Sequence, residues 1–194
     1  MTIYLIRHTE TNVSKSTIYG ASDVGLSPNF KTEWLNLKHK LSLLNASKKI
    51  IISSPLSRCT QLATELSAFL STPFETDDRL KELNFGDWEG RKWGDIDPET
   101  LNNWMGNYVN IAPPNGETYQ QLADRCGDFL ADIKEKSDPS VSLFIIAHGG
   151  SIRTFLHTAL GLQLEKTFDF TVDYGSISIL NYKHGRFSLQ TWNS

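Results

Sequence analysis

Two arginines and two histidines stand at the ends of short apolar runs: Arg7-His8 after Ile3 to Ile6, Arg58 in Ser53-Ser54-Pro55-Leu56-Ser57-Arg58 after Ile50 to Ile52, and His148-Gly149-Gly150 after Leu143 to Ala147. An arginine fork matches phosphate oxygens two at a time. Glycines after a histidine let backbone N–H groups at a helix start approach an anion. The ligand these residues imply is a phosphate group. Phosphate monoesters hydrolyse extremely slowly, and a site without a metal has to divide the reaction through a covalent intermediate. The nucleophiles on offer are His8, His148 and the serines of the second run. Imidazole suits the task because one nitrogen attacks while the other donates its proton to a backbone carbonyl. A departing alkoxide also needs a proton. The stretch Leu80 to Gly90 offers three acids, Glu82, Asp87 and Glu89. A carboxyl beside bound phosphate would have its pKa pushed upward by the like charge.

Those side chains converge only if the runs are strands of one parallel sheet, whose ligands sit outside the carboxyl ends. The runs are short and β-branched, and the first three are continuously apolar, as in a sheet covered on both faces. Ile177, Ile179 and Tyr182 alternate and add a fourth strand. Between them lie helical patterns. Ser27-Pro28 opens a helix carrying Trp34, Leu37, Leu41 and Leu44, and Ser54-Pro55 caps another with Leu56, Leu62, Ala63, Leu66, Phe69 and Leu70. Glu117 to Lys136 and Ile152 to Leu160 supply two more. The expected fold is α/β, a three-layer α/β/α sandwich with a mostly parallel central sheet.

Residues 72 to 116 break this rhythm. They hold four of the seven prolines and three of the five tryptophans, so the stretch reads as a lid-like excursion over one end of the sheet, within a single domain spanning 1–194. Its Trp88, Trp93, Trp104 and Tyr108 could stack on an aromatic base. His39, among lysines, and His184, beside Gly185, are expected at the surface, and His157 is expected to pack within its helix.

With 194 residues, 39% hydrophobic, and a formal net charge of -3, the chain can bury a core without disulfide or metal staples. It lacks the basic face that nucleic-acid or membrane-surface binding needs. Cys59 and Cys126 lie far apart in helical segments and are expected to be buried and unbridged. The chain runs straight into an apolar strand with no basic leader and no apolar run long enough to span a bilayer, which leads one to expect a cytoplasmic protein with no nucleic-acid or membrane partner. The oligomeric state is not legible. Two other readings stay open from these residues alone: a metal-dependent hydrolase with His8 and His148 as ligands, and a phosphate-binding scaffold without catalysis.

Arg7-His8, Ser54 to Arg58, Leu80 to Gly90, Asn115-Gly116-Glu117 and Ala147 to Gly150 occur in an order and spacing that resembles the histidine phosphatase, or phosphoglycerate mutase-like, superfamily, over nearly the whole chain. The resemblance implies His8 as phosphorylated nucleophile, Glu82 as proton donor, and His148 with Arg7 and Arg58 as the phosphate cradle. It further implies substrate contacts at Thr11, Ser14, Gly20 and Gly149, with no metal and no cofactor. Two positions depart from the family pattern: Thr9 replaces a glycine and Ser14 an asparagine. Thr9 is β-branched, so its backbone is expected at ordinary negative φ. The size resembles compact phosphatases rather than mutases, whose activity is the less favoured alternative. The run Phe170 to Ser176 resembles the branch that hydrolyses alpha-ribazole 5'-phosphate in cobalamin assembly. The implied partner is a small-molecule phosphomonoester.

Overall fold

Neighbouring side chains of the first strand go to opposite faces of the sheet, and both faces are apolar. The computed structural model describes residues 1–42, 48–136 and 138–194. Strand β1 (Thr2–Arg7) runs parallel to β4 (Val141–Ala147), with Ile3 opposite Leu143 and Ile6 opposite Ile146. Ile3, Leu5, Leu143 and Ile145 join a core with Leu122, Cys126 and Phe129 of α4 (Tyr119–Glu135) and Ile152 and Phe155 of α5 (Gly149–Leu160). Tyr4, Ile6, Phe144 and Ile146 pack instead with Trp34 and Leu37 of α1 (Phe30–Ser42) and Cys59, Leu62 and Leu66 of α2 (Ser57–Leu70). A sheet apolar on both faces must be covered twice. That requirement gives the three-layer α/β/α sandwich.

The sheet has the order β3-β2-β4-β1-β5-β6. Strands β2 (Lys48–Ser53) and β3 (Phe74–Thr76) are parallel to the central pair, while β5 (Ile177–Lys183) and β6 (Arg186–Thr191) close one edge antiparallel. Sequence reading missed β3, which has three residues, and β6, a half-exposed edge strand. It also missed α3 (Pro98–Gly106) inside the excursion, although Asp97 accepts from the Thr100 N–H and Pro98 occupies the first turn. Leu44, placed by its spacing on α1, lies outside the described residues.

Two helix starts differ from expectation. Helix α2 begins at Ser57, not after Ser54, because Leu56 is extended (φ -65°, ψ 140°) and ends the turn in which the Ser54 hydroxyl meets the Leu56 N–H at 3.4 Å and His148 at 2.8 Å. Helix α1 begins at Phe30, since Ser27 closes a separate turn by accepting from the Asn29 and Phe30 N–H groups.

Candidate active site

Strands β1, β2 and β4 end at one edge, with Arg7 opposite Ala147 and Ser53 opposite Ile146. The next residues along each strand therefore meet. The rings of His8 and His148 lie 5.1 Å apart, edge to face, and Arg58 Nε donates to His148 Nδ1 at 3.2 Å. A cavity of about 260 Å³ opens here, its wall including Arg7, His8, Arg58, Glu82 and Gly150.

His8 is 2% exposed, and its Nδ1 lies 2.7 Å from the Thr9 carbonyl oxygen. A carbonyl only accepts, so Nδ1 carries the proton and Nε2 keeps its lone pair. Thr9 has no positive φ, as its branching requires. Burial, then the charges of Arg58 and Arg7, hold the His8 pKa well below 6.5, and the Thr9 carbonyl opposes them only in part. His148 is the opposite tautomer: Nδ1 accepts from Arg58, so Nε2–H donates to Ser54 Oγ. Its pKa is also well below 6.5, through burial first and then His8 and the nearby arginines. His148 is wholly buried behind His8 and is not part of the cavity wall.

Imidazole loses nucleophilicity only when protonated, which for a lowered pKa happens only at correspondingly lower pH. A kcat/KM profile from about pH 5 to 8, corrected for substrate ionisation near pH 6, is expected to show no loss on acidification with a midpoint at or above 6.5. Such a loss would contradict the neutral His8.

Arg7, Arg58 and a third cation, Arg153, line the cavity, and none of them is in an ion pair among the described residues. Arg7 lies 3.7 Å above the Tyr174 ring, and its Nε is buried without a partner. Arg58 is wholly buried and donates through Nη1 and Nη2 to the carbonyls of Ser22 and Gly20. Arg153 spends Nε on the Phe170 carbonyl at 2.9 Å and sits 5.1 Å from the Phe168 ring. Buried cations without counter-charge are costly, and an anion entering the cavity relieves that cost. Sequence reading missed Arg153. Its signal was its place one helical turn beyond Gly149, where a Cβ would lie 3.2 Å from Arg153 Nη1 and 3.6 Å from Arg7 Cζ.

Of the three acids only Glu82 lines the cavity. Its carboxylate accepts from the N–H groups of Leu83 at 2.9 Å and Gly150 at 2.8 Å, and a Cβ at position 150 would run into Glu82 Oε1. Arg125 fixes this turn, donating to the carbonyls of Arg79, Lys81 and Glu82 while paired with Glu117. Asp87 is exposed and accepts from Asn115. Glu89 is directed to the backbone of two loops.

The remaining expected contacts divide. Thr11 donates to Tyr19 Oη at 3.1 Å, which lies 2.8 Å from Tyr174 Oη; Tyr19 and Tyr174 form wall, and Thr11 stands behind them. Ser14 is exposed and is not part of the cavity wall, its hydroxyl 2.9 Å from that of Ser16 and its carbonyl accepting from Thr17 N–H. Gly20 holds Arg58 through its carbonyl and is not part of the wall. Trp93 lines the cavity, whereas Trp88, Trp104 and Tyr108 do not. Trp88 is 3% exposed in a small core with Ile18 and Ile96, and Tyr108 packs on Phe168 and Tyr119. Phe85, Tyr119 and Phe168 are wall residues that sequence reading did not name.

His39 and His184 are exposed, and His157 is engaged with the Leu162 carbonyl. Cys59 and Cys126 are buried and unbridged, with burial raising both thiol pKa values. Among the described residues no cluster of three or more His, Cys, Asp or Glu could hold a metal ion. No helix among them is long and apolar enough to cross a membrane.

A family model described as "Histidine phosphatase superfamily (branch 1)" matches residues 3–194. Among curated relatives, a putative phosphoserine phosphatase 2 of Hydrogenobacter thermophilus is 28% identical, covering 96% of this chain and 92% of its own. The adenosylcobalamin/alpha-ribazole phosphatase of Escherichia coli K12 is 27% identical, covering 100% and 96%. The crystal structure of the alpha-ribazole phosphatase from Shigella flexneri matches with a TM-score of 0.90 at 27% identity, covering 100% of this chain and 96% of that one.

Proposed function

The chain belongs to the histidine phosphatase superfamily and is a phosphatase, and we propose that it hydrolyses small-molecule phosphomonoesters through a phosphohistidine at Nε2 of His8. The observation that carries this reading is the His8 ring: Nδ1 is tied to the Thr9 carbonyl, so Nε2 is an unprotonated nucleophile among arginines that have no ion-pair partner among the described residues. In the first step the Nε2 lone pair attacks phosphorus, the bond to the leaving alcohol breaks, and the carboxylic acid of Glu82 gives its proton to the departing oxygen. In the second, the Glu82 carboxylate takes a proton from water as the water oxygen attacks phosphorus. The P–N bond breaks, its electron pair returns to Nε2, and inorganic phosphate leaves.

Arg7 and Arg58 balance the two charges of the phosphate, as guanidinium forks do best. Gly149 keeps the head of α5 open to the anion. His148 completes the cradle by holding Arg58 Nε and backing the His8 ring. Thr11 acts through Tyr19. The whole chain, 1–194, works as one cytoplasmic domain, with residues 72–116 roofing the cavity.

For the alcohol, alpha-ribazole 5'-phosphate is the first reading, which would give the protein a role in cobalamin assembly. It is supported by the names of two relatives and by Phe85, Trp93 and Phe168 on the wall, where a flat base can stack. Arg153 favours a second reading. A cation without a carboxylate partner beside the reacting group suits an alcohol bearing a carboxylate, such as the phosphoserine named for another relative.

Steady-state kinetics on alpha-ribazole 5'-phosphate, phosphoserine, phosphoglycerates, sugar phosphates and nucleotides separates the two. A kcat/KM favouring the ribazole ester by about tenfold or more supports the first. A preference for phosphoserine that disappears in Arg153→Met overturns it in favour of the second.

A further inference from the structure

Arg58 is wholly buried and, among the described residues, has no carboxylate within ion-pair distance. Its guanidinium is instead held by two carbonyls, those of Ser22 at 2.8 Å and Gly20 at 2.5 Å. The loop that presents them is gathered by one carboxylate. Glu89 accepts from the N–H groups of Gly20 at 2.9 Å, Ala21 at 3.0 Å and Ser22 at 3.2 Å, and from Phe85 N–H at 3.0 Å.

The peptide unit joining Gly20 to Ala21 takes part in both interactions. Its N–H points at Glu89 and its C=O at Arg58, so the dipole of that unit lies head to tail between the negative and the positive charge. We infer that Glu89 is the positioning residue of the phosphate cradle, acting as the counter-charge of Arg58 through the Gly20–Ala21 peptide and touching no substrate itself. Glu89 is not part of the cavity wall. There is no room for the loop to adjust by adding bulk, because a Cβ at Gly20 would collide with the Leu83 carbonyl. Removing the charge at position 89 releases the carbonyls that aim Arg58, so the loss should fall on phosphate affinity. The inference rests on the reading that this cavity binds phosphate.

The test uses inorganic phosphate as probe and calorimetric titration as readout, which requires no turnover. Glu89→Gln is expected to weaken phosphate binding about tenfold, the size of one charge-assisted hydrogen bond, and Glu89→Asp to recover most of it. In a cycle with Arg58→Lys the two substitutions are expected to be strongly non-additive, the second costing little once the first is present. If Glu89→Gln does not fold, the same cycle is run with Glu89→Met, which keeps the side-chain length and removes the charge. Unchanged binding in Glu89→Gln, or additive losses in the cycle, overturns the inference while leaving the phosphatase reading intact. A wild-type protein that does not bind phosphate overturns both.

Discussion

His8→Ala is expected to reduce turnover of any phosphomonoester by roughly 10⁴–10⁶-fold, the range seen when a covalent nucleophile is removed while the rest of a site stays. The wild-type ring is neutral, with its free Nε2 fixed by the Thr9 carbonyl. No second group on the wall duplicates it. His148 presents neither nitrogen, since one accepts from Arg58 and the other donates to Ser54. Cys59 lies 3.5 Å from His148 Nε2, but burial keeps it a thiol and it does not line the cavity. Inorganic phosphate should still bind to His8→Ala, because both arginines remain. A variant that keeps more than about 1% of wild-type kcat would place the nucleophile elsewhere.

The second large effect concerns Glu82. Glu82→Gln keeps the shape, but its single amide oxygen can accept from only one of the two N–H groups, Leu83 or Gly150, that the two carboxylate oxygens serve, and it has no acidic proton to give a leaving alkoxide. Cleavage of alkyl phosphates is expected to slow by roughly 10²–10⁴-fold, the usual worth of a positioned general acid. Aryl phosphates, whose leaving group departs without a proton, should slow much less in the first step. Measuring kcat/KM for an alkyl and a nitrophenyl ester in parallel separates the two. Equal losses on both would remove Glu82 from that role and leave it a loop-holding residue beside Arg125.

The central fold was legible because its constraint is strong. Runs such as Tyr4-Leu5-Ile6 and Leu143 to Ala147 have no polar face, so they require cover on both sides, and a parallel arrangement then sends Arg7, His8, Ser54, Arg58 and His148 to one edge. The glutamate-rich stretch was legible only as a set. Glu82, Asp87 and Glu89 lie within a few residues of each other, Glu82 in irregular backbone, Asp87 inside the 3-10 turn Gly86–Trp88 and Glu89 just after it, where no regular period tells which side chain faces in. The contacts then separate them into a cavity wall, an exposed side chain and a loop anchor.

Ser14 stands off the cavity wall because the direction of an irregular loop is set by its own turn, here the Thr17 to Ser14 hydrogen bond, and not by distance from His8. Ser54 shows the reverse. Its residue type suits a helix cap, and its hydroxyl does meet the Leu56 N–H as well as His148, but Leu56 is extended and the helix starts later. Arg153 carried a readable signal, one turn along α5 from Gly149. The split among the tryptophans had none, because Trp88 and Trp93 share the same composition and the same kind of turn.

A phosphohistidine at His8 is the step that separates this chemistry from direct attack by water. Rapid acid-free quenching of the protein with substrate labelled in phosphorus, followed by peptide mapping, is expected to find label on His8, attached at Nε2, stable to base and lost in acid, and absent from His8→Ala. Label on another residue, or full turnover with no labelled protein at any time resolved, would contradict it.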